Sequence, residues 1–124
     1  MVRTGTEVNV RKPLILKDLV ATVNDPSVNW EPFRERIEIH RLYNIPNGPS
    51  AAFLRYAPGA RLERHQHGGY EHIYVLQGSQ TDDNGQHQAG TLVIHAPGSI
   101  HQVTSPEGCT VLAIWERAVT VVPE

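Results

Sequence analysis

One cysteine, Cys109, stands in a chain of 124 residues, so no disulfide can close within it and no all-cysteine zinc site can form. Any metal would have to rest on imidazole and carboxylate. Long apolar runs are missing as well. No stretch of about 18 apolar residues occurs, and the opening MVRTGTEVNVRKP lacks the apolar segment of a secretory signal, so a cytoplasmic protein without a membrane span is expected. Nor does either charge dominate: 11 Lys and Arg stand against 13 Asp and Glu, in no long block, which gives no reason to expect nucleic acid or an anionic membrane as partner. Aromatics make up 6% of the chain, so Trp30 and Trp115 are expected to pack in the core or a subunit contact.

Present in quantity are glycine (10), proline (9) and histidine (7). PNGP at 46–49, PG at 58–59, GG at 68–69 and PG at 97–98 punctuate the chain too densely for helices but suit short strands. Between them lie RIEIHRLY (36–43), AAFLRYA (51–57), YEHIYVLQ (70–77), TLVIHA (91–96) and CTVLAIWE (109–116), rich in β-branched and aromatic residues. Ile37 and Ile39 alternate with Glu38 and His40, the period of a strand with one wet face. An all-β sandwich or barrel follows, in one domain. DDNG at 82–85 predicts a hairpin turn with Asn84 and Gly85 at positive φ, and only residues 14–25 could hold a short helix or loop.

The segment HQHGGYE (65–71) carries the chemistry. On a strand, His65 and His67 project from one face with Gln66 on the other. Glu71 lies at a further even offset, and Gly68 and Gly69 allow a bend that returns its carboxylate toward the imidazoles. Ile73 and Val75 continue that face as an apolar floor. His101, behind the turn PGSI, is placed to add a third imidazole from a neighbouring strand. Such a set suits one divalent metal with open positions, iron or zinc first and manganese or nickel as alternatives. Neutral imidazoles and one glutamate leave the ion a net positive charge, which favours an anion, an enolate or a polarised carbonyl.

GARLERHQHGGYEHIYVLQG (59–78) resembles the first cupin motif at every fixed position. GTLVIHAPGSIHQVTS (90–105) resembles the second, with Ala96 at the usual proline and Ser105 at the usual asparagine; neither departure removes a ligand. The resemblance covers about residues 33–117 and implies a cupin jelly-roll β-barrel (double-stranded β-helix) of six to eight strands, dimeric, with the metal in its mouth. Residues 1–124 are then one cupin domain with 1–32 as an edge-strand or loop extension, in which 6–16 could add a strand to a partner barrel. A narrower likeness is to the cupin domain of ChrR-type anti-sigma factors and to acetylacetone-cleaving dioxygenases. The helical zinc-binding domain of the former has no counterpart, so anti-sigma activity is not expected.

The leading expectation is a metalloenzyme, a dioxygenase acting on a diketone-like or enolisable small molecule. A non-catalytic, metal-dependent sensing module is the alternative, and a sugar or keto-acid isomerase a weaker third. No catalytic side chain beyond the metal set stands out. His95 reads as a partly buried structural histidine, with a pocket role beside His101 as the alternative. His40 and His87 read as exposed, His72 as facing outward or into a subunit contact, and Tyr70 and Tyr74, on the same face as His72, as packing or interface residues. Tyr56, Arg55 and Phe53 offer one face to a pocket wall, Arg55 is expected to solvate, and Cys109 reads as a buried filler.

Overall fold

A computed structural model describes residues 12–123. A short helix, α1 (Leu19–Asn24), is capped by the Asp18 carboxylate, which accepts from Ala21 N at 3.0 Å. Ten strands follow among the described residues: β1 (Glu31–Arg34), β2 (Ile37–Asn44), β3 (Ser50–Tyr56), β4 (Ala60–His67), β5 (Glu71–Asp82), β6 (Gly85–Gln88), β7 (Leu92–His95), β8 (Ile100–Ser105), β9 (Cys109–Trp115) and β10 (Val119–Val121). All pairings are antiparallel, in the order β1-β2-β3-β9-β5-β8-β4-β10, with β6 and β7 also on β5. The result is the expected all-β jelly roll. Its strands run past both ends of the 33–117 core, because β1 opens at Glu31 and β10 closes on His65–His67.

β5 joins the two halves. Its first part lies between β9 and β7, and its second pairs with β6 and, at Thr81, with β8. At the crossing, Gly78 has φ 71, and a Cβ there would lie 2.0 Å from the Gly108 carbonyl oxygen. Only glycine fits that backbone and that approach.

Inside the barrel, Ile37, Ile39, Leu54, Ile73, Val75 and Val111 pack together. Outside, Val23 of α1 covers Phe53 and Leu76. This second cover explains why AAFL in β3 is apolar on both faces: Phe53 and Leu54 are 0% and 2% exposed, on opposite sides of one strand. Arg55 turns outward, paired with Glu38 at 2.8 Å and stacked 4.3 Å over Trp30.

Several local expectations need correction. The hairpin after β5 closes Asp82 on Gly85, but only Gly85 takes positive φ; Asn84 instead donates its backbone N–H to Asp82 Oδ1 at 2.8 Å. His40 is half-buried, 3.0 Å from the Asn29 carbonyl and packed between the rings of Trp30 and Phe53. Of the suggested strand at 6–16, residues 6–11 lie outside the described residues and 12–16 form no strand. No helix among the described residues is long and apolar enough to cross a membrane.

Candidate metal centre

β4 delivers His65 and His67 to the barrel interior with Gln66 exposed, as alternation requires. Glu71 opens β5, and His101 lies on β8 directly opposite His65. All four are buried, and one ligand atom of each lies within 4.8 Å of the others. The structure thus brings together every residue of the predicted set. Gly68 and Gly69 serve a different purpose from a simple bend. A Cβ on Gly68 would lie 2.7 Å from the Ala118 carbonyl oxygen, and one on Gly69 would lie 2.7 Å from Glu116 Oε1, so both make room for the segment after β9.

The hydrogen bonds fix where protons can be. His65 Nδ1 lies 2.8 Å from the Glu63 carbonyl, and His67 Nδ1 lies 3.0 Å from the Ser99 carbonyl and 2.9 Å from its hydroxyl. A carbonyl only accepts, so each Nδ1 carries the hydrogen and each neutral ring turns a bare Nε2 inward. There, His67 Nε2 meets Glu71 Oε1 at 3.0 Å and His65 Nε2 meets His101 Nε2 at 2.9 Å. A lone pair facing a carboxylate oxygen is repulsive unless a cation or an added proton lies between them. The donor set therefore fits a divalent metal, with backbone and hydroxyl partners orienting the imidazoles from behind.

Electrostatics point the same way. Burial pushes the Glu71 carboxyl up, but an added proton on His67 Nε2, shared with Oε1, and the positive charge of the neighbouring imidazoles when protonated outweigh it, so positive charge at this point holds the group below its ordinary range. Burial first, then His95 and His65, push His101 down to about 4, which keeps it neutral and ready to ligate.

Three residues outside the predicted ligand set also reach the site. Trp115 Nε1 donates to Glu71 Oε2 at 2.5 Å, fixing the carboxylate's second oxygen. His95 is 8% exposed, its ring parallel to His67 at 4.8 Å and its Nε2 4.0 Å from Glu71 Oε1, so it is more than a structural filler. Asp82, at the hairpin turn, approaches His101 Nδ1 at 3.6 Å and holds His87 Nε2 at 3.0 Å; His87 is accordingly half-buried rather than exposed. The signals in the sequence are the shared parity of Trp115 with Val111 and Ala113 and the nearness of His95 to His101 along the chain. His72 lies on the opposite face from Glu71 and Cys109 is buried with its thiol pushed up to about 11 by burial, both as expected, whereas Tyr70 and Tyr74, expected to pack or to meet a subunit, are exposed in this chain.

Beside this cluster opens a cavity of about 510 Å³ including its mouth. Phe33, Leu54, Leu62, Val103 and Val119 give it apolar walls, and the ligand side chains His65, Glu71 and His101 line one side. Tyr56 and Gln80 add two buried polar side chains to its lining. Tyr56 also keeps its proton, because burial raises its phenol pKa. Phe53 and Arg55 face away from the cavity.

An antiparallel jelly roll with three buried imidazoles and a glutamate converging beside an internal cavity defines a cupin. The sequence matches the family of the ChrR Cupin-like domain over residues 19–119, and the chain belongs to that family. No curated protein matches it significantly. Among solved structures, a Ralstonia eutropha protein with a cupin-like fold is similar at 25% identity and TM-score 0.67, over 71% of this chain and 59% of that one. The chain thus spans less than two thirds of that relative. An acetylacetone dioxygenase from Acinetobacter johnsonii is similar over 100% of this chain and 86% of its own, at 14% identity and TM-score 0.74. The Rhodobacter sphaeroides complex of SigE with the anti-sigma ChrR is similar at 20% identity and TM-score 0.66, over 85% of this chain and 70% of that chain. At their identities these two share the fold.

Proposed function

We propose that the chain is a metal-dependent dioxygenase of small enolisable molecules, with β-diketones as the substrate class. The observation that carries the reading is the convergence of inward Nε2 atoms and one carboxylate oxygen on the wall of a mostly apolar cavity. The fold shared with an acetylacetone dioxygenase supports it. His65, His67, Glu71 and His101 would hold one divalent ion, iron or zinc first, and manganese or nickel as alternatives. When bound, such an ion supplies Lewis acidity toward an enolate and, if it is iron, electron exchange with dioxygen.

The protein's own groups bind and orient. Phe33, Leu54, Leu62 and Val103 exclude water from an apolar substrate. The Tyr56 hydroxyl and Gln80 amide, both lining the cavity, would hydrogen-bond a substrate oxygen, and Trp115 holds Glu71 so that its Oε1 faces His67. Oxygen uptake by iron-loaded protein against a panel of β-diketones tests the reading. Uptake in step with diketone loss is expected; its absence with every diketone and every first-row metal would replace the enzyme with a metal-dependent binding module.

A homodimer is part of the same reading. On the outer sheet surface, Ile94, His72 and Ile114 form one cross-strand row and Leu92, Tyr74 and Leu112 the next. Leu92 and Ile94 are more than half exposed, and among the described residues β7 pairs only with β5. A second copy of this chain, carrying the same apolar rows about a two-fold axis, is the occupant we assign to that face. Light scattering should give twice the chain mass, reduced to the monomer in Ile94→Glu; a monomeric wild type would refute it.

A further inference from the structure

Three buried polar atoms beside the metal set have no hydrogen-bond partner: Asp82 Oδ2, His95 Nε2 and His101 Nδ1. Their residues form a single cluster, with one ligand atom of each within 4.8 Å of the others. The side chains of Asp82, His101 and His95 are 1%, 6% and 9% exposed, so water offers little compensation. Asp82 Oδ1 is already engaged by the Asn84 N–H and by His87, which fixes the carboxylate and leaves Oδ2 directed at His101.

The separation of Oδ2 from His101 Nδ1 is 3.6 Å. That is too long for a hydrogen bond. It is close to the spacing of about 3.4 Å between two ligands of a tetrahedral ion with bonds of about 2.0–2.2 Å. His101 also cannot satisfy both of its neighbours as a neutral ring. With the proton on Nδ1, its bare Nε2 meets the bare Nε2 of His65 at 2.9 Å; with the proton on Nε2, bare Nδ1 faces a carboxylate. A cation on each side of the ring removes the conflict.

We propose that Asp82, His95 and His101 form a second divalent-cation site, joined to the first by the imidazole of His101. The proposal rests on the four-ligand centre for the shared ring alone. Nitrogen and oxygen ligands in this mixture suit zinc or copper(II). When the second ion binds, the remaining N–H bond of His101 breaks, a metal–nitrogen bond forms, and the proton passes to solvent. The bridging ring is then an imidazolate, and its negative charge with that of Asp82 balances the second ion's two positive charges.

The test uses the full chain, stripped of metal and without an affinity tag, titrated with Zn²⁺ and desalted before elemental analysis. Two ions per chain are expected in the wild type and one each in Asp82→Asn, His95→Ala and Glu71→Gln, with an additional proton released as the second ion enters. One ion in the wild type, unchanged in Asp82→Asn and His95→Ala and lost in Glu71→Gln, would overturn the second site and leave the first standing. No ion in any of the proteins would overturn both. A second measurement needs no variant: with two equivalents of Cu²⁺, exchange across a shared imidazolate should quench most of the copper paramagnetic resonance signal. A full two-spin signal would overturn the bridge.

Discussion

Glu71 illustrates how much one side chain depends on its neighbours. In the ladders it is paired with His95 of β7 on one side and with Trp115 of β9 on the other. Oε1 faces His67, and Oε2 takes the indole N–H. Trp115→Phe keeps the ring and removes the donor, freeing the carboxylate to rotate. Metal affinity, measured by competition with a chromophoric chelator, should fall on the order of 10- to 100-fold. His65, His67 and Glu71 were legible because strand parity is a local property of the sequence, and their convergence needed only one strand and the turn after it. His95, Trp115 and Asp82 were not, because each reaches the site through cross-strand register or a hairpin end, and a single sequence does not state which strand lies beside which.

Among the elements, β5 bears the largest structural demand. One strand of 12 residues supplies Glu71 at its start and Asp82 at its end, and crosses between the two halves of the barrel at Gly78. Gly78→Ala would force a side chain into the Gly108 carbonyl while holding a positive φ. A loss of roughly 3 kcal/mol or more is expected, read as a fall in the denaturant midpoint or as failure to fold. The strands 37–44, 50–56, 71–82, 92–95 and 109–115 were visible from alternation and turn residues. β1, β6 and β10 were not, being three or four residues long and only partly buried, too short to show a period. The glycine pair at 68–69 was visible, but its reason, the passage of residues 116–118 against it, is a contact between distant parts of the chain.

For the molecule as a whole, the site is linked to stability through protons. His101 is held at about 4 against an ordinary value of 6.5, so between those values the unfolded chain binds more protons than the folded one. Stability must therefore fall as pH drops through that window. Glu71 and Asp82, both lowered, lose their contribution further down, as pH passes below the ordinary carboxylate range. Melting temperatures of the metal-free protein should decline from about pH 6.5 toward 4, and less steeply in His101→Asn. An equally steep decline in that variant would assign the pH dependence elsewhere.

The pairing of His65 with His101 has a consequence for the unfolded chain. The two residues are 36 positions apart, on β4 and β8, and an ion held by both would close that stretch into a loop. Like a disulfide, such a clasp reduces the freedom of the disordered chain, but only insofar as the ion stays bound there. With Cys109 alone, this protein has no covalent way to achieve it. Its tether would be reversible, released by acid or a chelator and remade when the ion returns.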